Sequence, residues 1–383
     1  NDKIVEILKI LFNKLLEGGN YPNMWSTGVI CPILKANKNE NEVESYRGVT
    51  LLCTVSKIYL KIIHNKLQEY LRISNSISKY QLGFRAGSST IDALFVLTTI
   101  INRTLNIKKR KLYVAFVDLE KAFDKVNRED LWTRLEKIGV PITILRAIIN
   151  IYKVVNSKVK GKGDEVFGSI ESNIGVRQGC VLSASLFIIF ADILVDMIQR
   201  IDSHAPNIDG LDIPLIMFAD DIALMSESIV GLQKALDCMS DFCKRFGMKV
   251  NVRKTKIVVF SKGYRLKRTE KWYYEGNKLE VVNEITYLGF KISKNNCWQK
   301  HISTAKLKGK LALGRFVSLQ HMLSELSWKE ILNYYNVLVK SVMIYGIEIW
   351  GLSKYVTQLQ TIFNEVCKRF LGVPRNAANT GVL

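Results

Sequence analysis

Two short apolar runs, residues 213–218 and 222–225, enclose the pair Asp220-Asp221. Runs of four to six apolar residues bounded by polar ones read as buried strands. So tight a gap leaves room only for a hairpin with two acids at its tip. A third apolar strand, 112–117, runs straight into Asp118. Carboxylates beside apolar strands are costly unless something pairs with them. Each of the three is therefore a turn or helix cap, or all three share one purpose. Acids at strand ends can hold two divalent metals that activate a hydroxyl nucleophile and steady a phosphate leaving group. Mg²⁺ suits such a site, since it takes carboxylates together with substrate phosphates. The chain shows no His/Cys cluster that would favour a softer ion. Spacing alone leaves both readings open.

Charge supplies the next constraint. Lys plus Arg number 55 against 35 for Asp plus Glu, a net +20, which predicts a polyanionic partner. From 244 to 310 there are 18 Lys or Arg against four acids. Trp272, Tyr273, Tyr274 and Tyr287 interleave that stretch, so cations for phosphates lie beside rings that can stack on bases. The other reading of such a run is a solvated face. Seven cysteines without a CxxC pair argue against a disulfide framework and a zinc site, and fit a reducing compartment. The most apolar run, 187–195, is too short to span a bilayer and contains Asp192, so no membrane partner is expected. The chain does not begin with Met and is read as a fragment, long enough for two or three domains.

Periodicity organises the rest. Ile4, Leu8, Leu11 and Leu15 repeat at helical spacing up to Gly18-Gly19. A strand is expected at 29–34, then helices at 55–71, with Ile58, Ile62 and Leu71 inward, and at 91–105. Asn127 reads as the cap of the next helix, and Gly139 with Pro141 separates it from another. A hairpin-like stretch follows at 153–174, then an apolar helix from 181 to about 200, a helix at 230–246 stopped by Gly247, and a strand at 256–260. Beyond 292 the pattern is helical, near 297–322, 327–344 and 354–371. Tyr80, Trp132, Trp328 and Trp350 sit on apolar stripes and read as core, and Cys238 and Cys243 as packing. His64, His204, His301 and His321 show no ligand spacing.

Eight ordered stretches carry a family resemblance. They are WSTGVICPILK at 25–35, YRGVTLL at 46–52, QLGFRAGSST at 81–90, VDLEKAFDKVN at 117–127, GVRQGCVLSASLF at 175–187, FADD at 218–221, NVRKTK at 251–256 and ITYLGFKI at 285–292. In this order they resemble the reverse transcriptase of non-LTR (LINE-type) retrotransposons. Ala86 and Ala184 stand where that family usually has Pro, and Phe218 where it has Tyr.

The resemblance implies an α+β right-hand polymerase with fingers, a palm built on a small antiparallel sheet, and an all-helical thumb. The expected divisions are 1–110 for an N-terminal extension and fingers, 111–292 for the palm with an interleaved fingers segment, and 293–383 for the thumb and the start of a linker. By resemblance, Asp118, Asp220 and Asp221 are catalytic metal ligands, joined by the Leu119 carbonyl, for two Mg²⁺ ions that Mn²⁺ can replace. Lys35, Arg47, Gln178, Gly179 and Lys254 would bind the nucleotide, with Phe123 beneath its sugar. Asp124 has either a chemical role or that of capping the downstream helix. Tyr287, Leu288 and Gly289 would form the primer grip, and the 244–310 run would carry the duplex toward the thumb. Arg85, Lys306, Lys308 and Lys310 are candidates for nucleic-acid contact, with Lys57 a further one.

The implied partners are an RNA template, a DNA or RNA primer and dNTPs, then the element's own RNA and its target DNA. The implied location is intracellular, cytoplasmic at translation and nuclear during synthesis. An RNA-dependent RNA polymerase, or a catalytically retired RNA-binding protein on the same fold, are the alternatives. Phe123 crowding a 2′-hydroxyl speaks against the first, and the intact acids against the second.

Overall fold

The computed structural model describes residues 2–35, 38–161, 163, 165–263, 266–318, 326–374 and 376–379. The apolar segment ending in Asp118 is the central strand, Leu112–Asp118, of a five-stranded sheet. Antiparallel neighbours flank it, Asp221–Ser226 on one side and Lys256–Phe260 on the other. Leu215–Phe218 forms one edge, and Glu280–Val282, parallel to Lys256–Phe260, forms the other. Side chains alternate across a strand. Phe116 therefore meets Tyr287 on one face, with ring centroids 5.1 Å apart, while Tyr113 meets Trp272 on the opposite face at 5.4 Å. Covered on both faces, the strand is buried along its first six residues.

The second sheet joins distant segments in the order Tyr46–Leu51, Thr27–Leu34, Asn156–Lys160, Val166–Glu171. The hairpin-like stretch at 153–174 supplies its last two strands; residues 162 and 164 lie outside the described ones. Tyr46–Leu51, not anticipated as a strand, pairs antiparallel with Thr27–Leu34. The strand Phe290–Ser293 straddles the division expected at 292 and pairs with Glu284–Tyr287.

Local chemistry sets most helix ends. Asn127 accepts from the Glu129 and Asp130 amides and caps Arg128–Lys137. Pro141 precedes Ile142–Tyr152, and Gly247, with φ +67°, ends Ile229–Phe246 in the left-handed region. Two apolar faces differ from expectation. In Thr54–Ser74 the buried row is Tyr59, Leu60, Ile63, Leu67 and Leu71, with Ile58 43% exposed. In Asp2–Leu16 only Phe12 and Leu15 are buried, and Ile4 faces solvent. Trp328 is also exposed, whereas Tyr80 and Trp350 are core as expected.

The helix Val181–Ile198 is long and apolar enough to cross a membrane by length and composition, so the brevity of 187–195 was no bar. Its burial inside the protein identifies it as a core helix. Asp192, on this helix and nearly inaccessible, pairs with Arg134 at 3.0 Å. Burial pushes its carboxyl up to about 6, opposed by the Arg134 charge. Cys238 and Cys243 are buried free thiols, as packing requires. The C-terminal part is helical, with Gln299–Ser318, Trp328–Tyr335 and Thr357–Phe370 as its main elements. Residues 319–322 and His321, expected in the first of these helices, lie outside the described residues.

Candidate active site

Antiparallel register brings the acids together. Asp118 and Asp221 are directly opposed partners on adjacent strands, and Asp220 precedes Asp221 in the connecting turn. Desolvation raises the Asp221 carboxyl to about 6, with the charges of Asp220 and Asp118 adding to it. Asp220 is raised too, first by burial and then by Asp118, while Arg47 on the strand Tyr46–Leu51 draws it down. Burial and the neighbouring carboxylates thus both disfavour the charged form here. Among the described residues, no three His, Cys, Asp or Glu side chains form a ready-made metal cage. An all-oxygen set of two or three carboxylates fits a hard cation that completes its shell with substrate phosphates and water.

The Asp118 amide donates to Thr255 Oγ1 at 3.2 Å, and the Asp118 carbonyl accepts from the Asn251 amide at 2.8 Å. Lys254 Nζ stands 3.5 Å from Asp118 Oδ2, so this cation does reach the acids. Leu119 forms an antiparallel bridge with Val250, whose hydrogen bonds run through the neighbouring residues. That pattern turns the Leu119 carbonyl away from the bridge.

Two residues that shape the acidic turn were not singled out from the sequence. Gln81, fully buried, accepts through Oε1 from the Ala219 amide at 3.1 Å and from the Gly83 amide at 2.9 Å. Ala219 is held at φ +60°, a strained position for a residue with a side chain. A Cβ on Gly83 would lie 2.3 Å from Ala219 N, so only glycine fits under the turn. The signal available was the Gln-x-Gly spacing inside 81–90, but a neutral amide carries no chemical label of its own.

The expected nucleotide residues divide. The Gln178 carbonyl accepts from the Thr50 amide at 3.0 Å, which docks this loop on the second sheet, and its side-chain amide donates to Asp124 Oδ1 at 3.0 Å. Asp124 thus partners Gln178, while Asn127 takes the helix-capping role. Gly179, at φ +98°, leaves no space for a side chain: a Cβ would stand 2.8 Å from the Thr50 carbonyl oxygen. Phe123 is partly buried, stacked on Phe187 at 4.4 Å and 15°, with Phe84 edge-on at 6.4 Å. Lys35 is tied elsewhere, donating to the Glu44 carbonyl at 2.8 Å. Arg128, also unanticipated, is buried and donates to the carbonyls of Gly175, Tyr152 and Ile174 beneath the Gln178 loop.

Tyr287 is buried with its hydroxyl on the Asp221 carbonyl at 3.3 Å. It therefore anchors the hairpin to the acidic strand. Leu288 and Gly289, both at positive φ, form the hairpin tip, and the Tyr345 hydroxyl donates to the Leu288 carbonyl at 2.8 Å. Arg85 donates to the Ser78 carbonyl and to Asn75 Oδ1 at 3.2 and 3.4 Å. Lys306 and Lys308 lie two residues apart on Gln299–Ser318 and so on different faces, while Lys306 and Lys310 share one. The 244–310 run is distributed over several elements. It places Lys254 at the acids, Lys267 to Lys278 beyond the sheet edge, and Lys306 to Lys310 on Gln299–Ser318. Linear charge density carries no information on which face of a sheet a loop will cover.

Residues 33–292 match the family described as reverse transcriptase (RNA-dependent DNA polymerase). The chain is similar to the RNA-directed DNA polymerase from mobile element jockey of Drosophila melanogaster, at 26% identity over 97% of this chain and 40% of that protein. It is equally similar, at 26% over 97% and 40%, to the probable RNA-directed DNA polymerase from transposon X-element of the same species. The chain thus spans about two fifths of the length of these curated relatives. Its fold resembles telomerase from Candida albicans, solved in complex with a fragment of telomeric RNA, with a TM-score of 0.54 and 11% identity over 95% of this chain and 66% of that one. Apo telomerase from Candida tropicalis gives 0.51 and 14% over 99% and 72%. The family match over residues 33–292, with the acids in register on a right-hand polymerase fold, makes this protein a member of the reverse transcriptase family.

Proposed function

We propose that this chain is the polymerase of a non-LTR element, extending a primer 3′-hydroxyl with dNTPs on an RNA template. The observation that carries the reading is the opposition of Asp118 and Asp221 across two strands, with Asp220 beside them and Lys254 at 3.5 Å. Two divalent ions, Mg²⁺ or Mn²⁺ in its place, would supply activation of the hydroxyl and charge for the leaving pyrophosphate. The protein's own share is positioning. Gln81 and Gly83 hold the turn that presents Asp220, and Thr255 fixes Asp118. Arg47 adds a cation near Asp220 where a triphosphate would arrive, and Lys254 adds one at Asp118. Gly179 lets the loop lie close against the second sheet, and Phe123, backed by Phe187, offers a rigid ring to the sugar.

The same reading places the element's RNA and its target DNA as partners. It also places synthesis in the nucleus after translation in the cytoplasm. Seven free cysteines and a net +20 support an intracellular, polyanion-binding protein. The test is primer extension on an RNA template with dNTPs and rNTPs supplied separately. Extension with dNTPs alone supports the reading, extension with rNTPs alone would point to an RNA polymerase, and template binding without extension to a retired enzyme.

A further inference from the structure

Beyond the acidic cleft, one basic cavity has no part in the reaction. It measures about 440 Å³ and is lined by Lys267, Arg268, Lys271 and Lys278 together with Leu279 and Glu280. Glu270 also lines it, but that acid is nearly inaccessible and already answered by Lys111 at 2.5 Å and by the Tyr113 hydroxyl at 3.2 Å. Glu280 is answered by Lys256 at 2.5 Å. None of the four lining cations forms an ion pair among the described residues, and all four are exposed. The cavity therefore holds four uncompensated positive charges.

Its walls are built and do not hang free. Trp272 and Leu279 are buried, and the Trp272 indole donates to the Ile229 carbonyl at 3.0 Å. Tyr273 and Lys278 are direct partners in a two-stranded ribbon, so their side chains leave the same face of it, and Tyr273 is 44% exposed. Exposed cations near an exposed ring are what an unpaired nucleic-acid strand needs, phosphates on the one and a base on the other.

The place excludes the catalytic cleft. Lys111 and Tyr113, which hold Glu270, share one face of the central strand, while Phe116 and Asp118 point to the other. Lys111 lies seven residues from Asp118, a rise of about 23 Å. We infer that this cavity binds the phosphodiester backbone of an unpaired strand, held outside the cleft while the primer–template duplex lies at Asp118 and Asp221. The inference rests on reading the chain as a polymerase.

The test compares two primer–template probes in fluorescence anisotropy, one blunt and one with a 30-nucleotide unpaired template overhang, at 50 to 200 mM salt. The variant carries Lys267→Ala, Arg268→Ala, Lys271→Ala and Lys278→Ala together. If each cation meets one phosphate, the variant's salt slope on the overhang probe is shallower by about 3, so wild-type affinity falls an extra ~50-fold across that range. Binding of the blunt probe stays unchanged. A fourfold Lys/Gln and Arg/Gln version, with a melting curve for each, separates charge loss from misfolding. Equal flattening with RNA and DNA overhangs assigns the site to the shared backbone, and flattening with RNA only adds recognition of the ribose. An unchanged slope with both overhangs, in variants that melt like wild type, would overturn the inference. Failure of wild type to extend a primer would instead overturn the polymerase reading, leaving the salt slopes to report on strand binding alone.

Discussion

Replacing Phe123 by Val tests the proposal that its ring walls the sugar side of a nucleotide site. The ring is stacked at 4.4 Å and 15° on Phe187, a residue of the core helix with no exposed surface, so it cannot retreat when a larger sugar enters. A rigid wall makes an added 2′-hydroxyl a misfit group, and overpacking of that kind costs about 1–3 kcal/mol, or roughly 10- to 150-fold in rate ratio. Because Phe123 is only partly buried, losing its ring also removes part of a core contact, on the order of 1–2 kcal/mol of stability. The assay is kcat/KM for a matched dNTP and rNTP on one RNA template, with a melting curve for each protein. Val at 123 is expected to shift the sugar ratio toward the ribonucleotide by at least tenfold, with a loss of a few-fold at most for the dNTP. Phe187→Leu, which loosens the backing without touching the wall, should release part of the same selectivity. Equal losses with both sugars would make Phe123 a packing residue, and an unchanged ratio would refute the steric argument.

Three further outcomes follow from the geometry. Gly83→Ala, whose Cβ would meet Ala219 N at 2.3 Å, should cut kcat at least tenfold with template affinity intact. Gly87→Ala, with open space around it but φ +78°, should cost only about 1 kcal/mol of stability, read by urea unfolding, and little activity. His301 is buried against Phe290, and burial first, then Lys308, lowers its imidazole to about 4. The unfolded chain takes up that proton near 6.5 and the folded one does not, so this stability is full above pH 6.5 and lost as pH falls toward 4. Between pH 7 and 5 wild type should lose about 2 kcal/mol more than His301→Gln, measured by urea unfolding at each pH.

Much of the site was legible because burial and charge conflict there. Asp118 declares itself as an acid at the end of an apolar strand, and Asp220-Asp221 as acids between two such strands. Register alone then joins them, and register follows from the hydrophobic pattern. Tyr46–Leu51 was harder to read, since its residues are mostly half-buried and show no period-two contrast. Ile58 was placed inward because spacing defines a stripe but not which flank of it meets the core. Gln81 and Arg128 act by holding main-chain groups remote in sequence, a role that residue type does not announce. The basic run divided because its charges are local in sequence while the sheet separates their faces.

The most direct test of the central claim is single-turnover primer extension on an RNA template by Asp118→Asn and Asp221→Asn proteins, with template affinity measured in parallel. On the proposed function the carboxylates hold metal for the transition state, whereas affinity comes mainly from cations on phosphates. The account predicts extension below a few per cent of wild type in Mg²⁺ and in Mn²⁺, with affinity for the primer–template within about threefold of wild type. Substantial extension by either variant would contradict it.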